Sequence, residues 1–272
     1  MDQFVTLNNS VQMPIFGLGV WQSKSGDETE NAVRWAIETG YRHIDTAAFY
    51  QNETSVGKAI RDSGVSRDDL FVTTKLWNAD QGYKTAHQAF ERSLSKLGTG
   101  YIDLYLIHWP KGELSNQTWK AFEEIYATGK VKAIGVSNFM VSQLTDFLPS
   151  CDVTPAVNQV EFHPHLQQPE LQEYCKKNKI QLEAWSPIMQ GQVTDVEELK
   201  QIGNSHNKSP AQIALKWEIQ KGIVTIPKSV KQHRIQENAD IFDFELSDEE
   251  MTAIDNLDQN RRIGPDPLNF NF

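Results

Sequence analysis

Cysteine is scarce in this chain of 272 residues, with Cys151 and Cys175 as its two examples. Two thiols do not make a disulfide framework for a chain of this length, so we expect both to be reduced. Long apolar runs are also missing. The longest candidate, residues 101–109, is well short of the ~18 residues of a membrane span and contains Asp103 and His108. The first residues have no basic and no apolar stretch typical of a secretory signal, so a cytoplasmic location is expected.

Blocks of five or more like charges are absent too, which argues against a charged tail. Thirty-six acidic and 26 basic residues give a net charge of −10. A net acidic chain is not expected to bind nucleic acid or an anionic membrane, although a local basic pocket remains open. Hydrophobic residues are 39% of the chain, which is enough for a sizeable core. No linker or low-complexity segment divides the sequence, so we expect one domain over residues 1–272.

What the sequence has is a recurring unit, a short apolar run that ends in a polar or aromatic residue and is followed by an amphipathic stretch. The runs are residues 15–19, 42–45, 70–75, 104–108, 131–137, 156–159, 181–186 and 223–228. Most of them end roughly thirty residues apart, the length of one strand, one helix and two loops. The pattern predicts eight parallel strands that alternate with helices.

Several of the intervening segments have clear helical signals. The pattern predicts helices over residues 29–40, 116–128 and 211–221, and an extra helix near residues 195–206, toward the end of the chain. At the start, residues 4–7 and 11–13 flank an Asn-Asn-Ser turn, which predicts a β-hairpin. Such a hairpin could close the bottom of a barrel.

Eight short, apolar strands with helices between them fit either a closed barrel or an open doubly wound sheet. An open dinucleotide-binding sheet would have the pattern G-x-G-x-x-G after an early strand. The nearest candidate, Gly17-Leu18-Gly19, lacks the third glycine. We therefore predict an α/β fold, a (β/α)8 TIM barrel with the hairpin closing its bottom.

The ends of the strands carry most of the chemically interesting side chains. In a parallel barrel these ends converge on one face, which is where active sites lie. The residues at or just after a strand end are Trp21, Asp45, Tyr50, Lys75, His108, Ser137, Asn138, Gln159, Trp185, Ser186 and Lys228. Each alone has an ordinary structural explanation, such as a helix cap or a surface lysine. Their convergence on one rim favours a catalytic site.

Four of these side chains suggest a particular chemistry. An aspartate beside a lysine keeps the ammonium charged, and an ammonium beside a phenol lowers the pKa of the phenol. An imidazole can orient a carbonyl group. A tyrosine in this setting can give a proton to a carbonyl oxygen. Because no serine or cysteine nucleophile is evident, hydride from a nicotinamide would complete the reaction.

At this point the chain resembles the aldo-keto reductase superfamily over essentially its whole length, and within it the bacterial 2,5-diketo-D-gluconate reductase and glyoxal reductase group. The motifs that carry the resemblance are Gly40-Tyr41-Arg42-His43-Ile44-Asp45-Thr46-Ala47 with Tyr50, Lys75-Leu76-Trp77, Asp103-Leu104-Tyr105-Leu106-Ile107-His108-Trp109-Pro110, Ile134-Gly135-Val136-Ser137-Asn138-Phe139, Asn158-Gln159-Val160-Glu161 and Ile226-Pro227-Lys228-Ser229 through Arg234 to Glu237-Asn238. Each motif alone is weak, but the set is specific.

The resemblance implies NADPH-dependent reduction of aldehydes and ketones, with Tyr50 as general acid in a tetrad with Asp45, Lys75 and His108. The implied cofactor-binding residues are Ser137, Asn138, Gln159, Trp185, Ser186, Lys228, Ser229, Arg234, Glu237 and Asn238. Among them, Trp185 would stack on the nicotinamide, where most relatives have tyrosine. Lys228, Ser229 and Arg234 would meet the 2′-phosphate. The local cluster of basic residues in this segment agrees with a phosphate site.

Two departures from larger relatives bear on the substrate. The loop between His108 and Trp119 is short, and so is the tail after Arg262. Because both segments usually wall the pocket, we expect an open, shallow pocket. Its expected lining is Trp21, Phe49, Trp77, His108 and Trp109. We expect small reactive carbonyls as substrates, such as methylglyoxal, α-dicarbonyls and diketo-sugar acids, and we expect a monomer.

Three other interpretations remain. The pair His163 and His165 could belong to a metal-dependent hydrolase, but it follows the sixth run, and we interpret it as structural. Lys75 could form a Schiff base, although a neighbouring aspartate that keeps it charged argues against this. Finally, the chain could be a nucleotide-binding regulatory or structural relative without activity, which an intact tetrad disfavours.

Overall fold

A computed structural model describes residues 3–270 and 272. Its centre is a barrel of eight parallel strands that neighbour one another in chain order, as predicted. The barrel strands are β3 (Leu18–Gly19), β4 (His43–Asp45), β5 (Phe71–Leu76), β6 (Ile102–Ile107), β7 (Val131–Ser137), β8 (Val157–Glu161), β9 (Gln181–Trp185) and β10 (Val224–Thr225). These strands are almost wholly buried because helices cover them outside and side chains fill the barrel inside.

The first and last barrel strands are shorter than the apolar runs that predict them, but they still close the barrel. The amide of Gly17 donates to the Thr225 carbonyl at 3.0 Å, and the Thr225 amide donates to Ile15 at 2.9 Å. Further along, the Gly19 amide donates to the Pro227 carbonyl at 3.2 Å. Pro227 has no amide hydrogen to return, which helps to explain why regular strand pairing stops early at this seam.

Gly17 directly precedes β3 and Gly19 ends it, and both have a packing role. A Cβ atom on Gly17 would lie 2.7 Å from the imidazole ring of His43. One on Gly19 would lie 2.9 Å from the carbonyl oxygen of Ile226. The two glycines therefore make room for their neighbours, which agrees with the prediction that they are not a dinucleotide-binding loop.

Helices follow the strands, and each of the four predicted helical segments is confirmed. The helices are α1 (Asp27–Thr39), α2 (Glu53–Asp62), α3 (Tyr83–Leu97), α4 (Glu113–Ala127), α5 (Val141–Phe147), α6 (Pro169–Lys177), α7 (Glu197–His206), α8 (Pro210–Gln220), α9 (Gln232–Ala239) and α10 (Asp248–Asp255). At the start of α8, Ser209 and Gln212 form a reciprocal capping box, with Pro210 in the first turn. The extra helix predicted near residues 195–206 is α7.

The predicted hairpin is also present. Strands β1 (Phe4–Thr6) and β2 (Gln12–Pro14) pair antiparallel. Its turn is fastened to the bottom of the barrel by two side-chain amides: Asn8 donates to the Pro155 carbonyl at 3.1 Å, and Asn9 donates to the Lys132 carbonyl at 2.9 Å. The hairpin therefore caps the end of the barrel opposite the strand carboxyl ends.

Two smaller features complete the fold. Both cysteines are free thiols; Cys175 is buried and Cys151 is half-buried. Of the helices within the described residues, none is both long and apolar enough to cross a membrane.

Candidate active site

The carboxyl ends of the strands bring the four tetrad residues to one face. Asp45 is the last residue of β4, and Lys75 lies one residue before the end of β5. His108 follows β6 directly, while Tyr50 ends a 3-10 turn, Ala48–Tyr50, after β4. Parallel pairing of β4 with β5 and of β5 with β6 fixes their relative heights.

Asp45 and Lys75 form a buried ion pair. The Lys75 Nζ lies 2.6 Å and 2.8 Å from the two carboxylate oxygens of Asp45, and it donates to the Thr46 carbonyl at 2.9 Å. The side chains are 0% and 3% exposed. Burial acts to lower the pKa of Lys75, but the Asp45 carboxylate outweighs it, and the pKa is raised above its usual value. The pair therefore keeps an ammonium ion fixed inside the barrel.

Tyr50 lies above this pair. The Lys75 Nζ is 5.1 Å from the centre of its ring, and the His108 ring is 5.7 Å away, edge to face. Burial raises the pKa of Tyr50 to about 12, although the Lys75 charge opposes this rise. The expectation that the ammonium lowers this pKa below that of a free phenol is therefore wrong for this structure, because desolvation of the phenolate is the larger effect. At neutral pH Tyr50 is a protonated donor.

His108 is a neutral imidazole. It is buried, and burial together with the Lys75 charge lowers its pKa well below the usual value. Its backbone carbonyl accepts from the Asn138 side chain at 3.0 Å, and its ring contacts Trp77 edge to face. A neutral imidazole in this position can hydrogen-bond to a carbonyl oxygen without adding a second positive charge beside Lys75.

Below the ion pair lies a carboxyl group that the sequence reasoning missed. The side-chain amide of Gln159 donates to Asp45 and to Glu183, both at 2.9 Å. Glu183 is fully buried, and burial followed by the Asp45 charge raises its pKa to about 8. The sequence does contain one indication of this buried carboxyl. Glu183 stands two residues before Trp185 on β9, so both side chains point into the barrel.

Asn138 organises the residues that the resemblance assigns to the nicotinamide. It adopts a left-handed conformation, with φ of 66°. Its side-chain amide donates to the Ser137 hydroxyl at 3.1 Å, and its Oδ1 accepts from the Trp185 indole at 2.9 Å. Ser137 in turn donates to the Gln159 carbonyl at 2.8 Å. These bonds hold Trp185, the side chains of Asn138 and Ser137 and the Gln159 backbone in one fixed group.

The segment after α10 covers one side of Trp185, a contact that the sequence did not indicate. Gly264 packs so closely on the indole that a Cβ atom would overlap it. The segment is held by Glu161, whose carboxylate accepts from the amides of Ile263 and Gly264. Glu161 thus holds in place the segment that packs against one face of the Trp185 ring.

The residues assigned to the 2′-phosphate lie around the exit of β10 and the start of α9. Lys228 is half-buried, and burial lowers its pKa. Arg234 is exposed on α9, and the ion pairs among residues 3–270 and 272 include neither cation. Ser229 is buried, and its hydroxyl accepts from the Lys231 amide at 3.1 Å. Two cations without carboxylate partners suit an anion.

Three assigned residues remain near this group. Ser186 directly follows β9 and has a left-handed backbone, with φ of 54°. On α9, Glu237 is exposed while Asn238 is buried. These positions are compatible with a site that continues from Trp185 toward α9.

The expected aromatic lining of the pocket is in place on one side. Trp21 and Phe49 are exposed, and Phe49 stacks on Trp77 with ring centres 3.8 Å apart. As expected, the loop after His108 is short, since α4 already begins at Glu113.

The tail differs from expectation. Phe272 lies parallel to Trp77 at 6.0 Å and meets Trp109 edge to face, while Phe270 packs on Trp109 at 5.0 Å. The expectation that a short tail leaves the pocket without this wall is wrong, because ten residues suffice to reach across the rim. Trp109 is buried by these contacts, with 6% of its surface exposed.

The histidine pair that raised the metal hypothesis lies outside this group. His163 is fully buried and its Nε2 lies 3.2 Å from the Glu161 carboxylate. His165 is also buried. In the part of the chain that the structure describes, no three His, Cys, Asp or Glu side chains are grouped as metal ligands.

The chain is similar to known proteins over nearly its full length. Residues 15–259 match the model of the aldo/keto reductase family. The chain is 57% identical to glyoxal reductase of Bacillus subtilis over 263 residues, which are 97% of this chain and 95% of that protein. It is 44% identical to a methylglyoxal reductase of Escherichia coli over 270 residues, 98% of this chain and 97% of that protein.

Two solved structures extend the comparison to the fold. An aldo-keto reductase enzyme from a Medee basin deep-sea metagenome library superimposes with a TM-score of 0.97 at 48% identity, covering 98% of this chain and 100% of that one. An aldo-keto reductase of Bombyx mori in complex with NADP gives a TM-score of 0.90 at 37% identity, covering 97% and 95%. The group indicated by the sequence motifs is thereby confirmed.

Proposed function

We propose, from the premise that the chain belongs to the aldo/keto reductase family, that it reduces small reactive aldehydes and ketones to alcohols with NADPH. The observation that carries this proposal is the buried Asp45–Lys75 pair directly below the protonated Tyr50 and the neutral His108. This arrangement suits carbonyl reduction, because a phenol held beside a fixed ammonium can give its proton to a carbonyl oxygen.

Each tetrad residue has one task in this proposal. His108 donates a hydrogen bond that orients the carbonyl oxygen toward Tyr50. The Tyr50 hydroxyl gives its proton to that oxygen, and the Lys75 ammonium stabilises the phenolate that remains. Asp45 keeps Lys75 charged and in place. NADPH, when bound, supplies the hydride to the carbonyl carbon.

The residues at Trp185 and around α9 fit nicotinamide adenine dinucleotide phosphate. Trp185 offers a flat indole held by Asn138 and backed by the segment at Gly264. At the other end, Lys228 and Arg234 offer two cations for a phosphate. The structure of the Bombyx mori relative is a complex with NADP, which supports the same cofactor for this chain.

The first test is turnover and substrate range. An aromatic pocket with few fixed polar groups discriminates weakly, since one methylene there is worth about 1–3 kcal/mol. We expect steady NADPH consumption with methylglyoxal and glyoxal, as the names of the two relatives suggest. Bulky steroid ketones should be poor substrates, because the loop after His108 is too short to enclose them.

A panel of kcat/KM values on purified protein measures this range. Absence of turnover with every aldehyde would contradict the reductase proposal and favour a non-catalytic relative. Efficient steroid reduction with methylglyoxal ignored would contradict only the argument from the short loop and the aromatic walls.

Cofactor preference gives a second expected result. NADPH differs from NADH by the 2′-phosphate, and Arg234 can hold two phosphate oxygens at once. A charge-assisted hydrogen bond contributes about 1.5–3 kcal/mol, so Arg234→Ala should weaken NADPH binding by about ten- to a hundredfold. NADH binding should change little, and added salt should weaken NADPH binding to the unsubstituted protein because Arg234 is exposed.

Fluorescence titration of the protein with each nucleotide measures these affinities. Arg92→Ala is the matched control, because Arg92 is also exposed but pairs with Asp80 on another part of the barrel. An equal loss of NADPH and NADH binding in Arg234→Ala would mean that the arginine supports the local fold and does not contact the phosphate.

A further inference from the structure

The interior of the barrel below the tetrad contains a second carboxyl group, Glu183. Its Oε2 accepts a hydrogen bond from the Gln159 side chain at 2.9 Å. Its Oε1 lies 3.6 Å from the His43 Nε2 and has no hydrogen-bond partner within residues 3–270 and 272. The His43 ring instead hydrogen-bonds the Thr73 hydroxyl at 3.0 Å. Glu183 and His43 are both fully buried.

These surroundings favour a neutral Glu183 at neutral pH. An ionised carboxylate with one oxygen unsolvated and unbonded is costly inside a protein. The charge of Lys75 is already matched by Asp45 at 2.6 Å. His43 adds no positive charge, since burial and Lys75 lower its pKa to about 3. In agreement, burial and the Asp45 charge raise the pKa of Glu183 to about 8, so its charge changes within the working range of most enzymes.

We propose, on the basis of the reductase function above, that Glu183 is a positioning residue whose charge, acting through Gln159 and the Asp45–Lys75 pair, controls how readily Tyr50 gives up its proton. As a neutral acid it accepts one amide hydrogen of Gln159 while Asp45 accepts another. This bridge holds Gln159 and Asp45 together.

The direction of the pH effect follows from the charges that face Glu183. These titratable neighbours are His43 and Asp45 from β4, Lys75 from β5 and Tyr50 above them. A negative charge on Glu183 raises the pKa of both Tyr50 and Lys75. A phenol of higher pKa is a weaker acid, so carbonyl reduction becomes slower as Glu183 loses its proton.

The test compares single-turnover rates of NADPH oxidation with methylglyoxal at pH 6.5 to 9.5. In the unsubstituted protein we expect the rate to fall by about three- to tenfold as the pH rises through about 8. In Glu183→Gln, which keeps the shape and the acceptor for Gln159, we expect a change of less than about twofold. We call this fall in rate near pH 8 the pH step. If Glu183 had a purely structural role, the substitution would alter the overall rate and leave the pH step in place.

Glu218 provides the matched control. It is a fully buried glutamate on α8, outside the ring of strands, and burial raises its pKa well above the usual value. Glu218→Gln should retain the pH step. A step that survives in Glu183→Gln, or that disappears in Glu218→Gln, would overturn the proposal. Because the unsubstituted protein must first turn over methylglyoxal, failure of the reductase function itself is recognised separately.

A measurement on Glu218→Gln covers the case in which Glu183→Gln does not fold. With Glu218 removed, infrared spectroscopy can follow the protonated carboxyl of Glu183 through its C=O stretch. We expect this band to disappear with a midpoint near pH 8, together with the fall in rate. A band that is absent, or whose midpoint differs from that of the rate, would overturn the proposal.

Discussion

Tyr50→Phe should fold and bind NADPH as the unsubstituted protein does, yet lose nearly all carbonyl reduction. The substitution removes the hydroxyl and keeps the ring, whose contacts with His108 and Lys75 are therefore retained. General acid catalysis typically contributes about 10²–10⁴-fold, and we expect a loss of kcat of at least that order. With Lys75 already paired with Asp45, removal of the hydroxyl leaves no unpaired charge behind.

Steady-state kinetics with methylglyoxal and a nucleotide titration measure the two halves of this result. Tyr83→Phe is the control, since the Tyr83 hydroxyl is exposed on α3 and bonds only Glu124 in the described chain. Near-normal turnover in Tyr50→Phe would remove Tyr50 from its proposed role. Loss of nucleotide binding together with activity would instead indicate a disturbed site.

The second large effect is expected from Asp45→Asn. Lys75 would keep one carbonyl acceptor, from Thr46, but lose its carboxylate partner at 2.6 Å. Removing one partner of a buried ion pair typically costs about 3–5 kcal/mol, and we expect a decrease of that size in the free energy of unfolding. Urea unfolding of the two proteins measures it, and Asp62→Asn, which breaks an exposed pair with Lys58, should change stability by less than about 1 kcal/mol.

Asp45→Asn should also shift the pH dependence of the reaction. The Asp45 carboxylate raises the pKa of Lys75 in the folded protein. Without it, burial dominates and the pKa falls, so Lys75 loses its proton at lower pH. The alkaline limb of the pH–rate profile should therefore move to lower pH. An unchanged profile and an unchanged unfolding curve would mean that the pair does not control the charge of Lys75.

Much of the fold could be predicted from the sequence because strands, helices and turns depend on residues that are close together in the chain. Short apolar runs at regular spacing, each followed by a helical segment, predict a parallel barrel, and Asn8 and Asn9 predict a turn. The candidate site was readable for the same reason, since the barrel places every strand end on one face. The sequence alone therefore places Asp45, Lys75 and His108 together.

Other features depend on contacts between residues that are distant from each other in the sequence. Tyr50 is half-buried and keeps a high pKa because its surroundings desolvate the phenolate, and a sequence does not display that burial. Glu161 accepts hydrogen bonds from backbone amides about a hundred residues later in the chain, and the segment that contains these amides packs against Trp185. Phe272 reaches Trp77 across the rim.

The sequence by itself thus determined the barrel, the order of its elements and the identity of the strand-end side chains. Only the tertiary structure decided the charge states and the pocket wall. The physical reason is that strand and helix patterns arise from neighbours along the chain, whereas pKa values depend on desolvation and on charges contributed by several strands. Glu183, an ordinary glutamate in the sequence, becomes a buried acid because β9 places it against His43 on β4 and Gln159 on β8.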